Sequence, residues 1–187
     1  IGMKIWIGML LPILGLMFFA TNDLLSKRDV AQEMERVNQL IGITPATSAL
    51  VDAFQKERNL ATGFIASQGM RFMAELGEEQ QASKKVIDTF FATMETFDFS
   101  FVDEAFRKKY EELKTIRKTL DQDREKISYF EWELDQVETF YSNIIAKLLS
   151  MLSYGSQYTN HKELSDKFQS YAHFIQAKEA FGTEGYS

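Results

Sequence analysis

The chain has 187 residues, enough for one sizeable helical domain, and a formal net charge of −6. That charge disfavours a nucleic-acid partner, which needs a basic surface, and the absence of cysteine excludes disulfides, thiolate metal sites and cysteine nucleophiles. Only two prolines occur, Pro12 and Pro45, and the long stretches rich in Leu, Met, Phe, Glu, Lys and Gln predict an all-α fold. No run of β-branched residues alternates over a strand's length.

Residues 5–22, IWIGMLLPILGLMFFATN, carry no charge and lie between Lys4 and Asp23. Eighteen uncharged residues suffice for a transmembrane helix, which needs about 17–25. A cleavable signal peptide is the alternative, but Phe18 stands where a small residue is wanted. Lys4 on one flank and Asp23 on the other favour an N-terminus inside the cell, with the remainder outside the cytoplasm. The expected domains are therefore a transmembrane helix over residues 1–22 and a helical domain over residues 23–187. The chain opens with Ile1 rather than methionine, so a piece of a longer protein is expected, truncated at its C-terminal end.

Beyond Asp23, Val30, Met34, Val37, Leu40 and Ile41 form an apolar stripe that continues the membrane helix. Gly42, Thr44 and Pro45 then predict a stop and a fresh start. Further helices are expected over about 46–67, 78–97, 103–120, 125–154 and 161–181, with a break at FDFSFVDE and Ser100 or Asp103 as a cap. Short connections make these an antiparallel up-and-down bundle. A membrane helix running straight into an amphipathic one predicts a homodimer with the long helices side by side.

The stretch QKERNLATGFIASQG, residues 55–69, places charge where core is expected. With residues about 100° apart, Leu50, Ala53, Phe54, Leu60, Ala61, Phe64 and Ile65 make one apolar face. Glu57 falls near its centre and Arg58 at its edge. A buried charge is costly without a partner, so the pair implies either a salt bridge that sets helix register or a site for a small anion. Near the other end, SYAHFIQAKEAFGTEG places Lys178 in the middle of an apolar face and Glu179 at its edge. Glu57 with Lys178 is the simplest neutralising cross-pair, leaving Arg58 for a ligand. Thr62, one turn beyond Arg58, is a candidate hydroxyl donor and Lys178 a candidate second cation.

These two stretches carry a family resemblance. Lys56-Glu57-Arg58, followed by small residues and an aromatic, resembles the first signature of nitrate- and nitrite-sensing (NIT) domains, and Lys178-Glu179-Ala180-Phe181-Gly182-Thr183-Glu184 resembles the closing one. The resemblance implies an all-helical extracytoplasmic sensor between two membrane helices, as in methyl-accepting chemotaxis proteins and other two-component or cyclic-dinucleotide signalling receptors, or a soluble module of antitermination regulators. It further implies that Arg58 is one of two arginines holding the oxyanion. Two positions depart from the pattern: Asn59 replaces a glycine, and Gly185 stands where the second arginine is expected.

Other features favour plain readings. His161 and His173 are twelve residues apart and match no recognised metal site, and no cofactor is expected. Phe130, Leu134, Val137 and Tyr141 repeat at helical spacing and read as core, while FRKKYEELKTIRKTLDQDREK reads as a solvated charged face. No nucleophile–base arrangement stands out, so an enzyme is not expected. Three readings follow: a periplasmic sensor domain of a bacterial inner-membrane receptor for nitrate, nitrite or a similar anion; a bundle sensing another small molecule or a protein; and a ligand-free membrane-anchored bundle.

Overall fold

The computed structural model describes residues 2–154, with backbone alone for residues 2–18 and 20. It consists of α1 (Gly2–Ala66), α2 (Met73–Glu95), a short 3-10 turn (Phe99–Phe101), α3 (Glu104–Ser128) and α4 (Leu134–Tyr154). The expected helix over 161–181 lies outside the described residues, and with it Lys178, Glu179, Gly185 and both histidines. No strand occurs among the described residues, as the all-α reading requires.

The chain divides into two units, Ile1–Asn38 and Gln39–Ser187. The first is the leading part of α1. It carries an exposed Lys27–Asp23 ion pair of 2.7 Å and exposed apolar side chains at Leu24, Leu25, Val30 and Met34. Among the described residues no helix is long and apolar enough to cross a membrane; most side chains of residues 5–22 are not among them.

The second unit is a bundle built on a seam spaced alternately by three and four residues. On α1 the seam runs Leu40, Ile43, Thr47, Leu50, Phe54, Glu57, Ala61, Phe64, all buried. On α2 it runs Leu76, Gln80, Ser83, Ile87, Phe90, Met94; on α3 Phe106, Tyr110, Leu113, Arg117, Leu120, Arg124, Ile127; on α4 Val137, Tyr141, Ile144, Leu148, Met151. This is the spacing of side chains that interlock between nearly parallel or antiparallel helices.

Contacts at the two ends fix the helix directions. At one end the Asp98 amide donates to Gln39 Oε1 (2.8 Å) and the Asp103 amide to the Tyr154 hydroxyl (2.7 Å). At the other, Phe64 stacks on Phe130 with centroids 4.9 Å apart, and Phe72 lies against Gly63. The four helices therefore run up, down, up and down. Asp98 and Asp103 accept from the Ser100 and Phe106 amides, so Asp103 is the N-cap of α3 that the sequence offered.

α2 starts at Met73 rather than near residue 78, and two breaks between helices differ from expectation. The stop at Gly42–Pro45 does not occur, because α1 runs through it. Pro45 is exposed, on the solvent side of α1, and the buried residues Leu40, Ile43, Leu50 and Val51 on either side hold the helix together. A proline there forfeits one intrahelical bond, about 3 kcal/mol, which burial of several large apolar side chains at about 1.5–3 kcal/mol each outweighs.

The second difference is a break inside the expected helix over 125–154. Residues 125–128 belong to α3, and α4 begins at Leu134. Phe130 adopts φ 58°, with the Glu131 amide donating to the Lys126 carbonyl (2.9 Å) and the Phe130 amide to that of Ile127 (3.1 Å). That is the Schellman arrangement with phenylalanine in the left-handed position usually held by glycine. Phe130 and Leu134, expected as core, are consequently exposed, whereas Val137 and Tyr141 are fully buried. The end of α1 uses the same closure at Gln68 (φ 51°) and Gly69, whose amide reaches the Phe64 carbonyl (2.9 Å).

Candidate functional site

Each helix of the bundle contributes one polar residue to a single layer: Glu57 of α1, Ser83 of α2, Arg124 of α3 and Tyr141 of α4. Glu57 and Ser83 are 0% exposed, and Arg124 only 4%. Arg124 grips the carboxylate with two bonds, Nη2 to Oε1 at 2.6 Å and Nε to Oε2 at 3.0 Å, the fork geometry that makes arginine suited to carboxylates. The Tyr141 hydroxyl donates to Oε2 (3.2 Å), and Arg124 Nη2 also donates to Ser83 Oγ (2.8 Å). Asp121 adds a partly exposed contact to Arg124 Nη1 (3.3 Å).

The electrostatics follow from this geometry. Burial by itself pulls the Arg124 guanidinium down, but the charge of Glu57 and their hydrogen bonds outweigh it, and the net shift is upward. The Tyr141 phenol is pushed up, first by burial and then by the Glu57 carboxylate beside it. It therefore remains a donor. The carboxylate of Glu57 is thus satisfied on both oxygens by Arg124 and Tyr141. Lys178, the expected partner, lies outside the described residues. The charged run on α3 is correspondingly not all solvated face: Asp123 and Arg124 are buried in it.

Arg58 occupies the position beside this layer. It is 3% exposed, and its Nη1 donates to Ser142 Oγ of α4 at 3.1 Å. Two adjacent residues of α1 therefore meet two adjacent residues of α4: Glu57 meets Tyr141, and Arg58 meets Ser142. Arg58 is thus a buried guanidinium beside a carboxylate that Arg124 neutralises, on the side of α1 that meets α4. Thr62 is half-buried, but its hydroxyl donates to the carbonyls of Arg58 (2.9 Å) and Asn59 (3.1 Å), so its proton is committed to its own helix.

An open groove lies elsewhere. About 480 Å³ of open space lies at the opposite end of the bundle from Phe64, between Phe99, Ser100, Arg107, Tyr110, Glu111 and Lys114. Its cations are engaged: Arg107 donates twice to the Phe99 carbonyl, at 2.7 and 3.1 Å, and Lys114 pairs with Glu111. Its exposed pairs are worth little as a binding force.

Sequence reasoning singled out Glu57 and Arg58 as charges on an apolar face and read Tyr141 as core, but did not single out Arg124, Ser83 or Ser142. A signal for Arg124 existed, since it continues the alternating spacing of Phe106, Tyr110, Leu113 and Leu120. Ser142 had none except its place next to Tyr141.

Among solved structures, the chain resembles the NasR transcription antiterminator, with a TM-score of 0.75 at 20% identity. The match covers 82% of this chain and 42% of that one, so the chain spans less than half the length of that protein. No curated protein sequence matches the chain. The model of one family, described as nitrate and nitrite sensing (NIT), matches residues 49–185, a span that includes Glu57, Arg58, the whole polar layer and both sequence signatures. The chain belongs to the NIT family of nitrate- and nitrite-sensing domains.

Proposed function

We propose that this chain is the sensor domain of a bacterial transmembrane receptor, binding nitrate, nitrite or a similar small anion at Arg58. The observation that carries the reading is a nearly fully buried Arg58 directed at α4, in a chain of the nitrate- and nitrite-sensing family. Glu57, the adjacent carboxylate that would repel an anion, is neutralised by Arg124. Lys178 supplies the second cation from the closing signature, in place of the arginine that Gly185 replaces.

The receptor setting rests on the uncharged residues 5–22, read as a membrane helix whose flanks Lys4 and Asp23 favour a periplasmic domain over residues 23–187. The exposed apolar side chains Leu24, Leu25, Val30 and Met34 support a homodimer through the leading part of α1. A ligand that binds one arrangement of α1 and α4 better than another would shift α1 and carry the signal across the membrane, in the manner of chemotaxis receptors. Calorimetric titration of the chain with nitrate, nitrite and other small anions tests the reading. Binding to the parent chain and its loss in Arg58→Ala is the expected result; equal binding by both makes Arg58 structural. The substitution at Gly185 favours one second reading, a sensor of the same architecture for another small molecule or a protein. It is the conclusion if no anion binds the parent chain.

A further inference from the structure

We propose that Ser142 is a ligand-binding residue of this site, donating its hydroxyl proton to the oxyanion held by Arg58. The inference rests on the anion reading and adds to it a neutral donor from α4.

The geometry distinguishes Ser142 from three other buried or half-buried hydroxyls, those of Thr47, Thr62 and Ser83. Thr47, Thr62 and Ser83 turn their protons back to carbonyls of their own helices: Thr47 to Ile43 (2.7 Å), Thr62 to Arg58 (2.9 Å) and Ser83 to Gln80 (3.0 Å). Ser142 does not. Its Oγ accepts from Arg58 Nη1 at 3.1 Å, and guanidinium has no acceptor to take the hydroxyl proton in return. Ser142 is half-buried on the face of α4 that meets α1, one residue beyond the fully buried Tyr141. A hydroxyl that accepts from a cation is polarised toward giving its own proton to an anion. An oxyanion seated against Arg58 therefore meets two donors from two helices, a charged one on α1 and a neutral one on α4.

That arrangement also explains how binding could be felt by the fold. An anion held by Arg58 alone would report only to α1. One shared with Ser142 fastens α1 to α4 at the level where Glu57 and Tyr141 already set their register.

The test uses the full chain in detergent, titrated calorimetrically with sodium nitrate, for the parent, Ser142→Ala and Ser142→Thr. Thermal melting without nitrate is recorded for each. Ser142→Ala is expected to weaken nitrate binding about tenfold or more, the size of one hydrogen bond to a charged group. Its ligand-free melting should stay near the parent's, and Ser142→Thr, which keeps the hydroxyl, should recover most of the affinity. A Ser142→Ala chain that binds nitrate with the parent's Kd overturns the inference while leaving the anion site intact. So does a Ser142→Thr chain that melts normally yet binds as weakly as the alanine variant. A parent chain that binds no anion overturns the anion reading itself, and this inference with it.

Discussion

Replacing Arg124 with methionine keeps most of the side-chain volume and removes the cation that grips Glu57 among the described residues. The carboxylate is 0% exposed and accepts two bonds from Arg124 and one from Tyr141, so after the change a buried charge keeps a single neutral donor. Breaking a buried pair in this way costs about 3–5 kcal/mol. For a domain of this size each kcal/mol moves Tm by about 2–4 °C, so a fall of roughly 6–20 °C is expected. Glu57→Leu alone should cost a similar amount, because Arg124 then keeps only Ser83 and Asp121. The double variant Glu57→Leu with Arg124→Met removes both charges and should be far less damaged than the sum of the two singles. Its remaining cost is about 1–3 kcal/mol for the stranded Tyr141 hydroxyl, which Tyr141→Phe in the triple variant should return. Urea unfolding followed by circular dichroism gives the four stabilities, and their cycle gives the coupling. Additive losses, or an Arg124→Met cost below about 1 kcal/mol, would refute the idea that the polar layer acts as one unit.

Other outcomes follow from single positions. Tyr141 has its folded pKa raised above the unfolded value of about 10, so its contribution is fully present below pH 10 and is lost as pH rises through the folded value. Urea stability measured from pH 9 to 12 should therefore fall less steeply in Tyr141→Phe, by up to about 1.4 kcal/mol per pH unit. Pro45→Ala should raise stability by up to about 3 kcal/mol by restoring one helical bond on an exposed face; a loss would mean that the proline packs. Gln68→Gly, at φ 51°, should add about 1 kcal/mol, read by thermal melting. Gly69→Ala should destabilise, since its Cβ would lie 2.9 Å from the Phe130 ring at φ +78°.

The fold class was legible because the buried stripes of α1 and α4 recur at helical spacing, and because Asp103 is an ordinary cap. The two misplaced boundaries have separate physical causes. At Pro45 a local stop signal lost to the burial of Leu40, Ile43, Leu50 and Val51 around it. At Phe130 no glycine or proline marks the turn, and stacking on Phe64 holds an aromatic residue in a conformation that sequence rules reserve for glycine. The buried polar residues were partly legible. Glu57 and Arg58 stood out as charges on an apolar face, but Arg124 was hidden among neighbours of its own kind. Only its seam position, seven residues beyond Arg117 and four beyond Leu120, separates it from the solvated lysines around it. Ser142 is defined by what it meets across the α1–α4 contact, which no spacing on one helix records.

The most direct test of an anion site at Arg58 is a crystal structure of the chain grown with nitrate. Nitrate density within about 3 Å of both the Arg58 guanidinium and the Ser142 hydroxyl, between α1 and α4, is the expected result. Nitrate bound away from Arg58, or no nitrate beside Arg58 at saturating concentration, would contradict it.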